Sequence, residues 1–123
     1  MSRSERYRDG GGWEGPAGYS RAARRGNRIA VSGTTAEGEN AYEQARTALL
    51  RGMAAIEALG GRREDILHTR LFLAPGADWE GVGRAHAELL GDIAPANTTL
   101  HVAELIGGYL VEVEIEAEIQ PGS

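Results

Sequence analysis

Near the C-terminus of this 123-residue chain, glutamates recur at every second position: Glu112, Glu114, Glu116 and Glu118. Side chains along a strand point alternately to opposite faces, so the four carboxylates share one face. Val111, Val113, Ile115, Ala117 and Ile119 share the other. A carboxylate held in a partly dry cleft has a raised pKa and can serve as a general base near neutral pH. It could activate water for a hydrolysis that needs neither metal nor cofactor. The plainer use of such a face is a wet wall whose glutamates pair with Arg70 or Arg28 from neighbouring strands. That use suits Glu116 and Glu118; for Glu112 both readings stay open.

Other chemistries find little support. With no cysteine, disulfides, thiol nucleophiles and thiolate metal sites are excluded. His68, His86 and His101 fall on separate elements without ligand spacing, so no metal site is expected. His86 lies on a helical stripe and reads as a packed core or interface residue. Ser32 stands at a strand end without a histidine–aspartate partner to make it a nucleophile. Gly33 beside it lets the chain turn and exposes backbone N–H groups. No phosphate-binding loop or dinucleotide fingerprint occurs.

Charge and hydropathy narrow the partners. The formal net charge is -5. Arg21, Arg24, Arg25 and Arg28 make one short basic cluster, expected to be a solvated segment rather than a nucleic-acid groove. Aromatic residues are scarce and form no strand ladder for base stacking. No nucleic-acid partner is expected, and no membrane partner, since no apolar run approaches the roughly 20 residues a bilayer requires. The polar N-terminus is not a secretory signal, which points to a cytoplasmic protein.

The elements that must position these residues follow from periodicity. The Gly- and Arg-rich opening reads as a flexible lead-in over 1–15, ahead of a single domain over 16–120. Arg28–Ser32 predicts a strand, with an added hairpin strand near Tyr19–Arg24. From Asn40, Ala41, Ala45, Ala48, Leu49, Ile56 and Leu59 form a helical stripe that stops at Gly60-Gly61. Gly52 falls on that stripe and suggests close packing. Ile66–Leu73 predicts a strand with Leu67, Thr69, Leu71 and Leu73 on one face and His68, Arg70 and Phe72 on the other. Asp78 can cap a second helix, whose buried stripe is Trp79, Val82, His86 and Leu89/Leu90. A strand at Thr98–Val102 and a turn at Ile106–Gly108 precede the glutamate strand. The fold class is α+β, with two helices covering one side of a sheet and a semi-polar opposite side that suits a subunit contact.

Several blocks resemble the Rid (YjgF, reactive intermediate deaminase) family. They are Gly18-Tyr19-Ser20 with Gly26 to Thr34, Tyr42 to Leu49, Glu64 to Leu73, Pro95 to Leu105, and Leu110 to Glu114. The set is collinear over about residues 16–119. The resemblance implies a chorismate-mutase-like (YjgF-like) mixed sheet, a homotrimer with a central barrel, and clefts between subunits that hold a small-molecule ligand. The family's deaminases hydrolyse reactive enamines and imines to ketoacids and ammonia. By position, Glu112 would hold the hydrolytic water, with Glu114 the alternative one pleat away. Tyr19, Ser32 and Gly33 would line the pocket, and Thr99 stands where many members have cysteine.

Asn97 is the departure. The family's deaminases place an arginine there to grip a substrate carboxylate through a charged, bidentate pair. Asparagine has neither the charge nor the fork. Arg21 or Arg70 could substitute, though nothing in the sequence brings them there. The expected function is therefore metal-independent hydrolysis of a small imine, enamine or related C–N compound other than a simple 2-iminoacid. The alternative is a non-catalytic, small-molecule-binding or chaperone-like protein of this fold. Endoribonuclease, a label this family also carries, fits poorly with an acidic chain lacking a basic groove.

Overall fold

The alternating and helical stripes assemble into one mixed sheet in the protein's structure, a computed structural model that describes residues 4–121. Its strands are β1 (Ser4–Tyr7), β2 (Ala22–Arg25), β3 (Arg28–Thr34), β4 (Ile66–Leu73), β5 (Ala96–His101) and β6 (Val111–Glu118). Their order across the sheet is β1-β2-β3-β6-β4-β5. Neighbours run antiparallel except β4 and β5, which are parallel and joined by a helical crossover. The helices are α1 (Glu14–Ala17), α2 (Ala41–Ala58) and α3 (Trp79–Leu90).

Asn40 starts α2 by accepting a hydrogen bond from the Glu43 backbone N–H at 2.9 Å. The helix then lays Ala45, Ala48, Leu49 and Ile56 on β3 and β6, where Ile29, Val31, Val113 and Ile115 are equally buried. Each fully buried Leu, Ile or Val contributes about 1.5–3 kcal/mol relative to exposure. Gly52 belongs to this contact, as its stripe position suggested: an added Cβ would sit 2.7 Å from Ile115 Cδ1. The apolar face of β6 is thus the helix-covered one, and Glu112, Glu114 and Glu116 lie on the open face.

Five expectations need correction. The opening is not a featureless lead-in over its described part, because Ser4–Tyr7 pairs with β2 and Glu14–Ala17 is a helical turn. Glu14 is buried there and accepts from the Gly10 N–H at 2.9 Å. The cluster Arg21 to Arg28 is not uniformly solvated either. Arg21 and Arg24 are buried, and Arg24 donates to the carbonyls of Leu59 at 2.7 Å and Gly26 at 2.8 Å.

Leu67 is exposed rather than on the core face, because β4 holds one extra residue against β6 between Ile66 and His68. Trp79 is also exposed, at the first turn of α3. Asp78 precedes that helix without making a side-chain cap hydrogen bond.

Candidate functional site

A strand bulge prepares the site. Val31 pairs with Ile115 and Thr34 with Val113, so β3 spends three steps where β6 spends two. The extra residue falls at Ser32-Gly33, a place where bulges bend a strand and re-aim its groups. Arg21 holds the bulge from below: its Nη1 donates to the Gly33 carbonyl at 2.8 Å and to Thr34 Oγ1 at 3.1 Å. Asp9 lies 3.5 Å from Arg21 Nε and also pairs with Arg51 on α2. The Arg51 guanidinium holds the Asp9 carboxyl below its ordinary pKa. The described part of the opening thus supplies a counter-charge under the site.

The side chain of Glu112 lies across the bulge. A Cβ on Gly33 would fall 2.2 Å from Glu112 Oε2, so the carboxylate fills the space a side chain would take. Burial, reinforced by the like charge of Glu114, raises the Glu112 pKa, while Arg21 opposes the rise. The other three glutamates are engaged differently. Arg70 lies 2.8 Å from Glu116 and 3.6 Å from Glu114; Arg28 lies 3.2 Å from Glu116 and 3.4 Å from Glu118. The plainer reading thus holds for Glu114, Glu116 and Glu118. Among the described residues, Glu112 has burial and like charge and no arginine at ion-pair distance.

Tyr19 is partly exposed, with its ring centroid 5.8 Å from the Arg21 guanidinium. The Ser32 hydroxyl donates to the Ser20 carbonyl at 2.7 Å and its N–H to the Arg21 carbonyl at 2.9 Å. Its protons thus brace the bulge. Glu112 thus lies on Gly33, Ser32 adjoins it in the bulge, and Arg21 links the bulge to the Tyr19 ring.

Asn97 and Thr99 lie elsewhere. Asn97 pairs with Thr69, whose side chain is on the helix-covered face, whereas Glu112 pairs with Phe72 on the open face. The two groups of candidate residues therefore lie on opposite faces of one chain's sheet. Asn97 Nδ2 donates to Thr69 Oγ1 at 3.1 Å, and Thr99 donates to Asn97 Oδ1 at 2.8 Å. Thr69 Oγ1 is in turn 2.8 Å from His86 Nε2 on α3. Neither arginine considered as a substitute stands with Asn97: Arg21 holds the bulge and Arg70 the glutamates.

Sequence reasoning passed over Thr69 and His86 as contributors to this second group. A polar Thr69 on the strand face that the sequence otherwise gives to leucines was the available signal. Among the described residues, no group of three or more His, Asp or Glu side chains is placed to hold a metal ion. No helix there is long and apolar enough to cross a membrane.

A mixed six-stranded sheet, with two long helices on one face and strand glutamates on the other, defines a protein of the YjgF-type α+β fold. The sequence model of the Endoribonuclease L-PSP family matches residues 14–119, and the chain belongs to that family, the YjgF/YER057c/UK114 or Rid group. It is 39% identical over 121 residues to the uncharacterized protein SCO2049 of Streptomyces coelicolor, covering 91% of this chain and 90% of that one. The crystal structure of Rv2704 from Mycobacterium tuberculosis superposes with a TM-score of 0.91 at 35% identity, covering 95% and 100% of the two chains. The YjgF gene product of E. coli superposes with a TM-score of 0.77 at 25% identity, covering 83% and 88%.

Proposed function

We propose that the protein hydrolyses a small imine, enamine or related C–N compound, with Glu112 as the base that activates water. The observation that carries this reading is the half-buried Glu112 carboxylate, lodged over Gly33 and, among the described residues, without the paired arginine its neighbours have. A buried acid with a raised pKa holds and returns a proton near neutral pH.

The step balances without a cofactor. Glu112 takes a proton from water as the water oxygen bonds to the C=N carbon, and returns it to the nitrogen. The carbinolamine then collapses: Glu112 carries the hydroxyl proton to the amine nitrogen, the C–N bond breaks, ammonia leaves, and a carbonyl remains. Tyr19 and the Ser32-Gly33 bulge shape the pocket around that carbon.

The two groups of candidate residues face opposite ways within one chain, which favours a homotrimer in which Asn97 and Thr99 of one subunit face Glu112 of another. Such a cleft would work in the cytoplasm on a substrate lacking the 2-iminoacid carboxylate. Ammonia release from a neutral imine generated in situ, with Glu112→Ala as control, tests the reading. Equal release by both proteins would reject it and leave the alternative, a small-molecule-binding protein of the same fold.

A further inference from the structure

The hydrogen bonds beneath β5 run in one direction. A threonine hydroxyl has one proton and two lone pairs, whereas an amide nitrogen only donates. Asn97 Nδ2 lies 3.1 Å from Thr69 Oγ1 and 3.5 Å from the Thr69 carbonyl oxygen. Turning the amide over would set its oxygen against that carbonyl, acceptor against acceptor, so the strand fixes its orientation. Thr69 Oγ1 could accept from both neighbours, but its buried proton has no other acceptor among the described residues, so it accepts from Asn97 and donates to His86 Nε2 at 2.8 Å. His86 must carry its proton on Nδ1, and its burial, which lowers its pKa, keeps the ring neutral. Thr99 donates in turn to Asn97 Oδ1 at 2.8 Å.

Both amide protons of Asn97 are thus directed at Thr69, and the Thr99 proton is directed at Asn97. What these two side chains still offer a ligand is a lone pair on Asn97 Oδ1 and the lone pairs of Thr99 Oγ1. Both residues are exposed on β5. We infer that the Asn97 and Thr99 side chains form an acceptor subsite for the N–H or O–H donor end of a ligand, such as an amide or ammonium group. Thr69 and His86 are positioning residues that fix this polarity. A carboxylate would meet lone pairs there, the opposite of what an arginine presents. The inference rests on the reading that this edge borders the ligand cleft, and it names the kind of group bound.

Propionamide and propionate have the same carbon frame and differ in this property. Titrating the labelled protein with each, while following the Asn97 side-chain amide and the Thr99 N–H by NMR, measures the preference. Propionamide is expected to bind at least about tenfold more tightly, since an unmatched polar contact is costly. Thr69→Val removes the hydroxyl at nearly constant shape and is expected to bring the two affinities together, and Thr69→Ser to restore the preference.

Imidazole ¹⁵N shifts of the unmodified protein are expected to place the His86 proton on Nδ1, a result that does not depend on how Thr69→Val folds. A proton on Nε2, equal or tighter binding of propionate, or no perturbation of Asn97 or Thr99 by either probe overturns the inference. The two readings fail separately. Propionamide preference without ammonia release removes only the hydrolytic function, whereas Glu112-dependent release with propionate preference removes only the acceptor subsite.

Discussion

The Glu112 carboxylate occupies the volume that a side chain at position 33 would need: Oε2 lies 2.2 Å from where a Cβ on Gly33 would be. The glycine and the bulge around it give that carboxylate its place on the open face of the sheet. Arg21, buried behind the bulge, donates to the Gly33 carbonyl at 2.8 Å.

Gly33→Ala should therefore displace Glu112 without unfolding the protein, because a glutamate side chain can swing away from a methyl group. Misplacing a reacting group by about 1 Å can cost about 100-fold in rate. Ammonia release should fall by at least about tenfold, while the thermal midpoint moves by only a few degrees. A fully active Gly33→Ala protein would show that the close approach has no bearing on catalysis.

Glu112 should also cost stability. Its pKa is raised in the folded protein by burial and by Glu114, above an unfolded value of about 4.3. The folded state therefore binds the proton more tightly, and stability falls as pH rises from that value through the raised one. Glu112→Gln should melt at a higher temperature than the unmodified protein at pH 7.5, with the difference narrowing toward zero below pH 4. Thermal melts across that range check it; a variant less stable at every pH would contradict the electrostatic account.

Asn97→Arg should add activity toward 2-iminoacids. β5 is exposed along its whole length in the single chain, so a longer side chain meets no core. The guanidinium would supply the charged fork that Asn97 lacks. A gain of at least about tenfold in kcat/KM for a 2-iminoacid is expected, equivalent to one charge-assisted contact of about 1.4 kcal/mol. Ammonia release from an amino acid and its oxidase measures it.

Much of this arrangement was legible in local periodicity. The faultless alternation of β6 placed four glutamates on one face, and the stripe of α2 identified both the helix-covered face and the close approach at Gly52. What escaped depends on strand partners. The bulges at Ser32-Gly33 and Leu67 are mismatches of step between two strands, and neither strand carries that information alone. Arg21 and Arg24 looked solvated because residue type implies charge, whereas the carbonyls that satisfy them come from distant turns. The link from His86 through Thr69 to Asn97 joins α3, β4 and β5, and each member reads singly as ordinary core or edge.

The most direct test sets Glu112→Gln beside Glu116→Gln in an assay of ammonia release from a neutral imine. Both changes remove one carboxylate from the same strand face, yet Glu116 is held by Arg70 and Arg28, and Glu112 lies over the bulge. If Glu112 is the general base, its loss should lower kcat/KM by about 10²–10⁴-fold, while Glu116→Gln stays within a few fold of the unmodified protein. Equal activity of the two variants would contradict a catalytic role for Glu112.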